Sequence, residues 1–114
     1  MREVFASCRD YTLPLSLVVH NRGITQSCVS AVRAVKLDGA RLTLRGQDCS
    51  LEIREDLLES AWIVRRPSKG GMSARLEIYG ADGRQAAAIH GGSDHDARVA
   101  WAVLIGCFGA GSDD

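Results

Sequence analysis

The sequence predicts an α+β fold: an antiparallel sheet of about seven strands in a meander, with one C-terminal helix packed on it. Three observations carry this reading. Apolar and polar residues alternate at Leu42 and Leu44, at Leu51 and Ile53, and at Ala74, Leu76 and Ile78, the two-residue period of half-buried strands. Asn21-Arg22-Gly23, Asp38-Gly39 and Asp82-Gly83 punctuate these runs with residues that accept positive φ in tight turns. Near the C-terminus the period becomes helical, at Trp101, Leu104, Ile105 and Phe108.

In chain order, residues 1–12 show no period and are expected to be a loose lead-in with at most one helical turn. Leu13 to Val19 is the first strand, with Pro14 near its start, where a missing N–H is tolerable on an edge. The turn at His20 to Gly23 leads into Ile24 to Leu37, whose alternation slips between Val32 and Val35, the mark of a bulge. Arg41 to Arg45 and Leu51 to Arg54 are the next two strands, separated by Gly46-Gln47-Asp48. The acidic stretch Glu55 to Glu59 reads as a short helical turn, and Ala61 to Arg66 as a strand covered on both faces and stopped by Pro67. Ser73 to Tyr79 and Arg84 to His90 close the sheet around the 80–83 hairpin. Ser93 is the expected N-cap of the helix, with Asp94 and Asp96 in a first turn whose dipole favours negative charge. The domain is thus placed at 13–108, with residues 109–114 a disordered tail.

Composition narrows the function classes. A length of 114 residues suits one domain with one core. Fourteen Lys and Arg balance fourteen Asp and Glu, and aromatics make up only 5%, so neither a cationic field nor a set of base-stacking rings favours nucleic acid. No secretory leader and no apolar run of membrane-spanning length is expected, which reads as a cytoplasmic protein with reduced thiols. Cys8, Cys28, Cys49 and Cys107 show no Cys-x-x-Cys spacing. They read as buried free thiols, disulfide pairing being the alternative.

Few residues carry chemistry. His20 at a turn, His90 at a strand end and His95 at a helix start each have a plain solvated reading beside a ligand reading. Glu52, Glu55, Asp56 and Glu59 fall on outward or turn positions where water solvates them. Arg65-Arg66 at the end of the Trp62 strand, with Arg22 and Arg75 across the sheet, is the basic feature of most interest. Guanidinium groups beside an apolar sheet face suit a flat amphipathic dianion, pairing its carboxylates while the sheet contacts its ring.

A longer pattern then appears in order: Asn21-Arg22-Gly23, Gln26, Leu51-Glu52-Ile53-Arg54-Glu55-Asp56, Ala61-Trp62-Ile63-Val64-Arg65-Arg66-Pro67, Leu76-Glu77-Ile78-Tyr79, Asp82-Gly83 and Trp101. Over roughly Leu17 to Phe108 this resembles one repeat of the HemS/ChuX haem-utilisation family, the Ser-Ala-Trp-x-Val-Arg-x-Pro string being its most specific part. The resemblance implies haem as the bound cofactor or cargo, while the homodimer is expected from the sheet itself, whose edges and remaining apolar face one helix cannot cover. Its role would be binding or trafficking haem, a form of iron transport, in the bacterial cytoplasm after uptake. Carriage rather than ring-opening is expected, with no nucleic acid and no membrane insertion; the alternative is a non-haem-binding dimerisation or regulatory module of the same fold.

The same resemblance assigns site residues and departures. His90 is the implied metal ligand, and Arg66, Arg22 and His20 complete the implied haem-binding set. Arg66 stands where the family has Lys, and Arg22 matches an Arg. Ala88, His90 and Ser93 stand where relatives place Gln, Tyr and Arg for the propionates. The N-terminal helical segment that supplies the axial His in the HemS-type branch is expected to have no counterpart, since only sixteen residues precede the match and none is His.

Overall fold

The structure is a computed structural model that describes residues 1–21, 23–47, 49–68, 71–92 and 94–108. Two helices, α1 (Arg2–Asp10) and α2 (His95–Gly106), flank seven strands: β1 (Pro14–His20), β2 (Thr25–Asp38), β3 (Arg41–Gly46), β4 (Ser50–Arg54), β5 (Leu58–Ser68), β6 (Gly71–Gly80) and β7 (Gln85–Gly91). All seven strands pair antiparallel in one sheet. The expected turns at Asp38-Gly39 and Asp82-Gly83 are present, Gly39 and Gly83 having φ of 61° and 80°. The expected bulge in β2 lies between Val32 and Ala34.

The strand order is β4-β3-β2-β1-β7-β6-β5, so the single meander resolves into two, β1 to β4 and β5 to β7, joined by the β1–β7 pair. The edge strands β4 and β5 are consecutive in the chain, linked only by a single 3-10 turn, Glu55–Leu57. Four Cα steps from Arg54 to Leu58 span at most about 15 Å. A flat sheet of this many strands would hold its edges roughly 29 Å apart. The sheet is therefore rolled, with its edges drawn together at that turn.

The inside of the roll is the core. Leu15, Val32, Leu42, Leu44, Ile53, Ile63, Leu76, Ile78, Ala87 and Ile89 give every strand a buried apolar residue in one cluster. Val4, Phe5 and Cys8 of α1 and Trp101, Leu104 and Ile105 of α2 complete it. The residues expected to form a lead-in are thus a helix with Phe5 fully buried. Sequence reading missed it because a nine-residue helix shows its i, i+1, i+4 stripe only once. Helix α2 lies so close to β7 that a Cβ on Gly91 would sit 2.8 Å from Trp101 Cβ. The Trp101 indole donates to the Ala74 carbonyl at 2.8 Å, fixing the helix across β6.

Four local expectations are corrected. Pro14 begins a central strand rather than an edge: as first residue of β1 it can lack an N–H, while its carbonyl accepts from Gly92 N–H at 3.0 Å. Pro67 does not stop β5, because β5 is an edge strand and pairing continues through Pro67 opposite Met72. The α2 N-cap is Asp94, whose carboxylate accepts from Ala97 N–H at 2.7 Å; Ser93, like the expected tail 109–114, lies outside the described residues. Buried free thiol describes Cys8 alone; Cys28 and Cys49 are half-buried and Cys107 is exposed.

Phe5→Ala tests whether α1 belongs to the core. Urea unfolding should show a loss of about 3–5 kcal/mol, whereas an accessory lead-in would change stability by less than about 0.5 kcal/mol.

Candidate functional site

Opposed residues in an antiparallel pair point to the same face, so the register sorts the sheet into two faces. Ile63, Leu76, Ile89, Leu17 and Cys28 form one row across the core side. The neighbouring row, Trp62, Glu77, Ala88, Val18 and Ser27, faces outward. Both helices pack on the core side, leaving Trp62 42% and Val29 52% exposed on the outer face.

The implied site residues fall on this outer face where they are described. Arg66 lies opposite Ser73 near the end of β5, and His90 lies opposite Ser16 near the end of β7. His20 ends β1, with Nδ1 3.4 Å from the Thr25 hydroxyl. Ser16 and His20 are four residues apart, so the His20 and His90 rows are separated by roughly 13 Å along the strand. One iron cannot take both imidazoles from a single chain. Arg22 lies outside the described residues. His95, the first residue of α2, is exposed as its solvated reading expected.

His90 is exposed, and its Nδ1 lies 3.0 Å from the Gly91 carbonyl. A carbonyl only accepts, so this contact places a proton on Nδ1, and in the neutral imidazole the lone pair then lies on Nε2. That is the tautomer an imidazole uses to ligate a metal while its other nitrogen is held. Among the described residues no three His, Cys, Asp or Glu side chains converge as a metal site.

The charged centre of the face is a cluster that strand spacing alone did not single out. Glu77 is only 2% exposed, although it sits on the outer side of the sheet. Its carboxylate accepts from Arg75 Nε and from the Tyr79 hydroxyl, both at 2.5 Å, and lies 3.8 Å from the Arg66 guanidinium. Burial, the largest single influence, pushes the Glu77 carboxyl up. The Tyr79 hydrogen bond and the Arg75 and Arg66 charges together outweigh it, holding the group below its ordinary value. Two guanidinium groups around one carboxylate leave a net positive charge beside the indole of Trp62, which lies directly opposite Glu77. The available signal was the Arg75-x-Glu77-x-Tyr79 spacing, which puts three polar groups on one side of a strand. Their mutual contacts depend on rotamers that spacing does not specify.

The sequence profile of the family described as "Haemin-degrading HemS.ChuX domain" matches residues 1–108. The hemin transport protein HmuS of Yersinia pestis is 30% identical over 77 residues, covering 68% of this chain and 22% of HmuS. Apo-PhuS, a haem-binding protein from Pseudomonas aeruginosa, superposes with a TM-score of 0.80 at 21% identity, over 90% of this chain and 31% of its own. ChuS, a haem-degrading enzyme of Escherichia coli O157:H7, gives a TM-score of 0.79 at 23% identity, over 92% of this chain and 32% of its own. At these identities the structural likeness is one of fold. The chain spans about a fifth of HmuS and about a third of PhuS and ChuS.

Because the Glu77 carboxyl is held low in the folded state, its stabilisation is complete above the ordinary value of 4.5 and is lost as pH falls below it. Glu77→Gln should cost about 1–2 kcal/mol at neutral pH. In urea unfolding the gap between variant and wild type should narrow below pH 4.5; a gap independent of pH would show that the carboxylate charge is not its source.

Proposed function

The chain belongs to the haemin-degrading HemS/ChuX domain family, and from that premise we propose that it binds haem as cargo on the outer face of its sheet and passes it on in the bacterial cytoplasm after uptake. The observation that supports this most directly is the shared face of His90, Arg66, Arg75 and Trp62. The His90 Nε2 lone pair is the candidate iron ligand. Trp62, Val64 and Val18 supply apolar contact for a flat ring, Val64 and Val18 being half-buried on that face. The surplus guanidinium charge around Glu77 meets carboxylates such as propionates. Arg22 and His20 are secondary contributors, His20 only through a second chain because of its distance from His90 along β1.

Carriage fits these parts. One exposed imidazole and an open, solvated face hold a ligand without enclosing it, which suits release to an acceptor. No helix among the described residues is long and apolar enough to cross a membrane. Exposure of Trp62 and Val29 on a face without a covering helix also favours a homodimer. A second reading rests on that same exposure: the face serves only as a dimerisation or regulatory surface and takes no haem.

Haemin titration followed by absorbance separates the two. Carriage predicts a saturable Soret shift at stoichiometric haem that loses its ligation signature in His90→Ala. Arg66→Ala should weaken affinity roughly tenfold. No shift for the wild type would leave the module reading, and an unchanged shift for His90→Ala would remove that ligand. Size-exclusion with light scattering at micromolar protein should show a dimer, weakened by Trp62→Ala; monomer alone would overturn the homodimer.

A further inference from the structure

On the core side of the sheet, away from the outer face, two sulfurs meet. Cys28 faces inward from the first half of β2, opposite Leu17, and Cys49 sits in the turn between β3 and β4. Their Sγ atoms are 2.8 Å apart, although 21 residues separate them in sequence. The turn is held in place independently, since Gly46 N–H donates to the Cys49 carbonyl at 2.8 Å and Gln47 N–H to the Ser30 hydroxyl at 3.1 Å. Both cysteines line a small apolar cavity of about 40 Å³ with Leu17, Leu44 and Leu51. That space lets the two side chains turn toward the roughly perpendicular arrangement that a disulfide requires.

We propose that Cys28 and Cys49 are a reversible redox modification site, closing to an intramolecular disulfide with hydrogen peroxide as oxidant and locking the β3–β4 turn to β2. Cys49 lies in the turn and Cys28 within β2, so Cys49 meets the oxidant and Cys28 resolves; burial first, and then the neighbouring Cys49 sulfur, push the Cys28 thiol up to about 11. The Cys49 sulfur attacks a peroxide oxygen, breaking the O–O bond and giving a sulfenic acid and water. The Cys28 sulfur then attacks the sulfenic sulfur; the S–S bond forms, the S–O bond breaks, and the Cys28 proton leaves with the hydroxyl as a second water. Two thiols are oxidised by two electrons and one peroxide is reduced. Exchange with two equivalents of a small thiol reverses the step.

The whole chain, reduced, desalted and treated with stoichiometric hydrogen peroxide, provides the test. Non-reducing tryptic mapping should find peptide 23–33 joined to peptide 46–54, with an intact mass lower by about 2 Da. Tm should rise by roughly 10 °C and return on adding dithiothreitol. Cys28→Ser and Cys49→Ser should each lose the Tm shift, and Cys107→Ser, which alters an exposed thiol, should keep it. The proposal is overturned if the wild-type map shows peptides 23–33 and 46–54 unlinked after peroxide, whether as free thiols or with Cys49 overoxidised alone, or if the Tm shift depends on Cys107.

Discussion

The passage of the chain from one sheet edge to the other through Glu55–Leu57 is the constraint on which the rest of the structure depends. Strands β4 and β5 are the two edges, and three residues cannot bridge a flat sheet of seven strands. Rolling the sheet satisfies that connection and creates an interior. Residues from all seven strands reach it, and Phe5 and Trp101 fill what the strands leave. The Arg2 guanidinium pairs with Glu55 at 2.6 Å, so the start of α1 is tied to the same crossing. The edges themselves carry ordinary protection against further pairing, with Pro67 and the charged Arg65 and Arg66 on β5.

Rolling gives the two faces different fates. The inner face carries the helices and most of the apolar side chains, and the cysteine pair lies half-buried at its β2 side, beside a small apolar cavity. The outer face has no helix, yet Glu77 and Ala88 are buried on it, at 2% and 5% exposure. Long neighbours cover Glu77: Arg75 and Tyr79 fold over it from the same strand, and Arg66 reaches in from β5. A buried carboxylate of this kind is tolerated because each partner supplies a hydrogen bond or a charge. The result is a basic cluster beside an exposed indole.

Much of the fold was legible. Asp38-Gly39 and Asp82-Gly83 turn where their chemistry says, the β2 bulge lies where the alternation slips, and every expected strand is present. The site was legible only in part. His90, His20 and Arg66 were visible as residues, and strand parity suffices to put them on one side once the register is known. The Glu77 cluster was not, because Arg75-x-Glu77-x-Tyr79 reads as an ordinary solvated strand side until the rotamers close on one carboxylate. Helix α1 was missed for a related reason: its two turns become stable only against the sheet interior, so propensity alone carries little signal.

By itself the sequence determined the local grammar, namely where strands run, where they turn, where the closing helix sits, and the family to which that order of motifs is similar. These are properties of dihedral preference and hydrophobic period, and both act over a few residues. Tertiary structure alone decided the strand order, with β1 meeting β7 and leaving β4 and β5 as edges. It also decided that Cys28 and Cys49 touch across 21 residues of chain. Pairing between distant strands is fixed by which apolar faces bury together when the sheet rolls, a property of the whole core that no short window of residues contains.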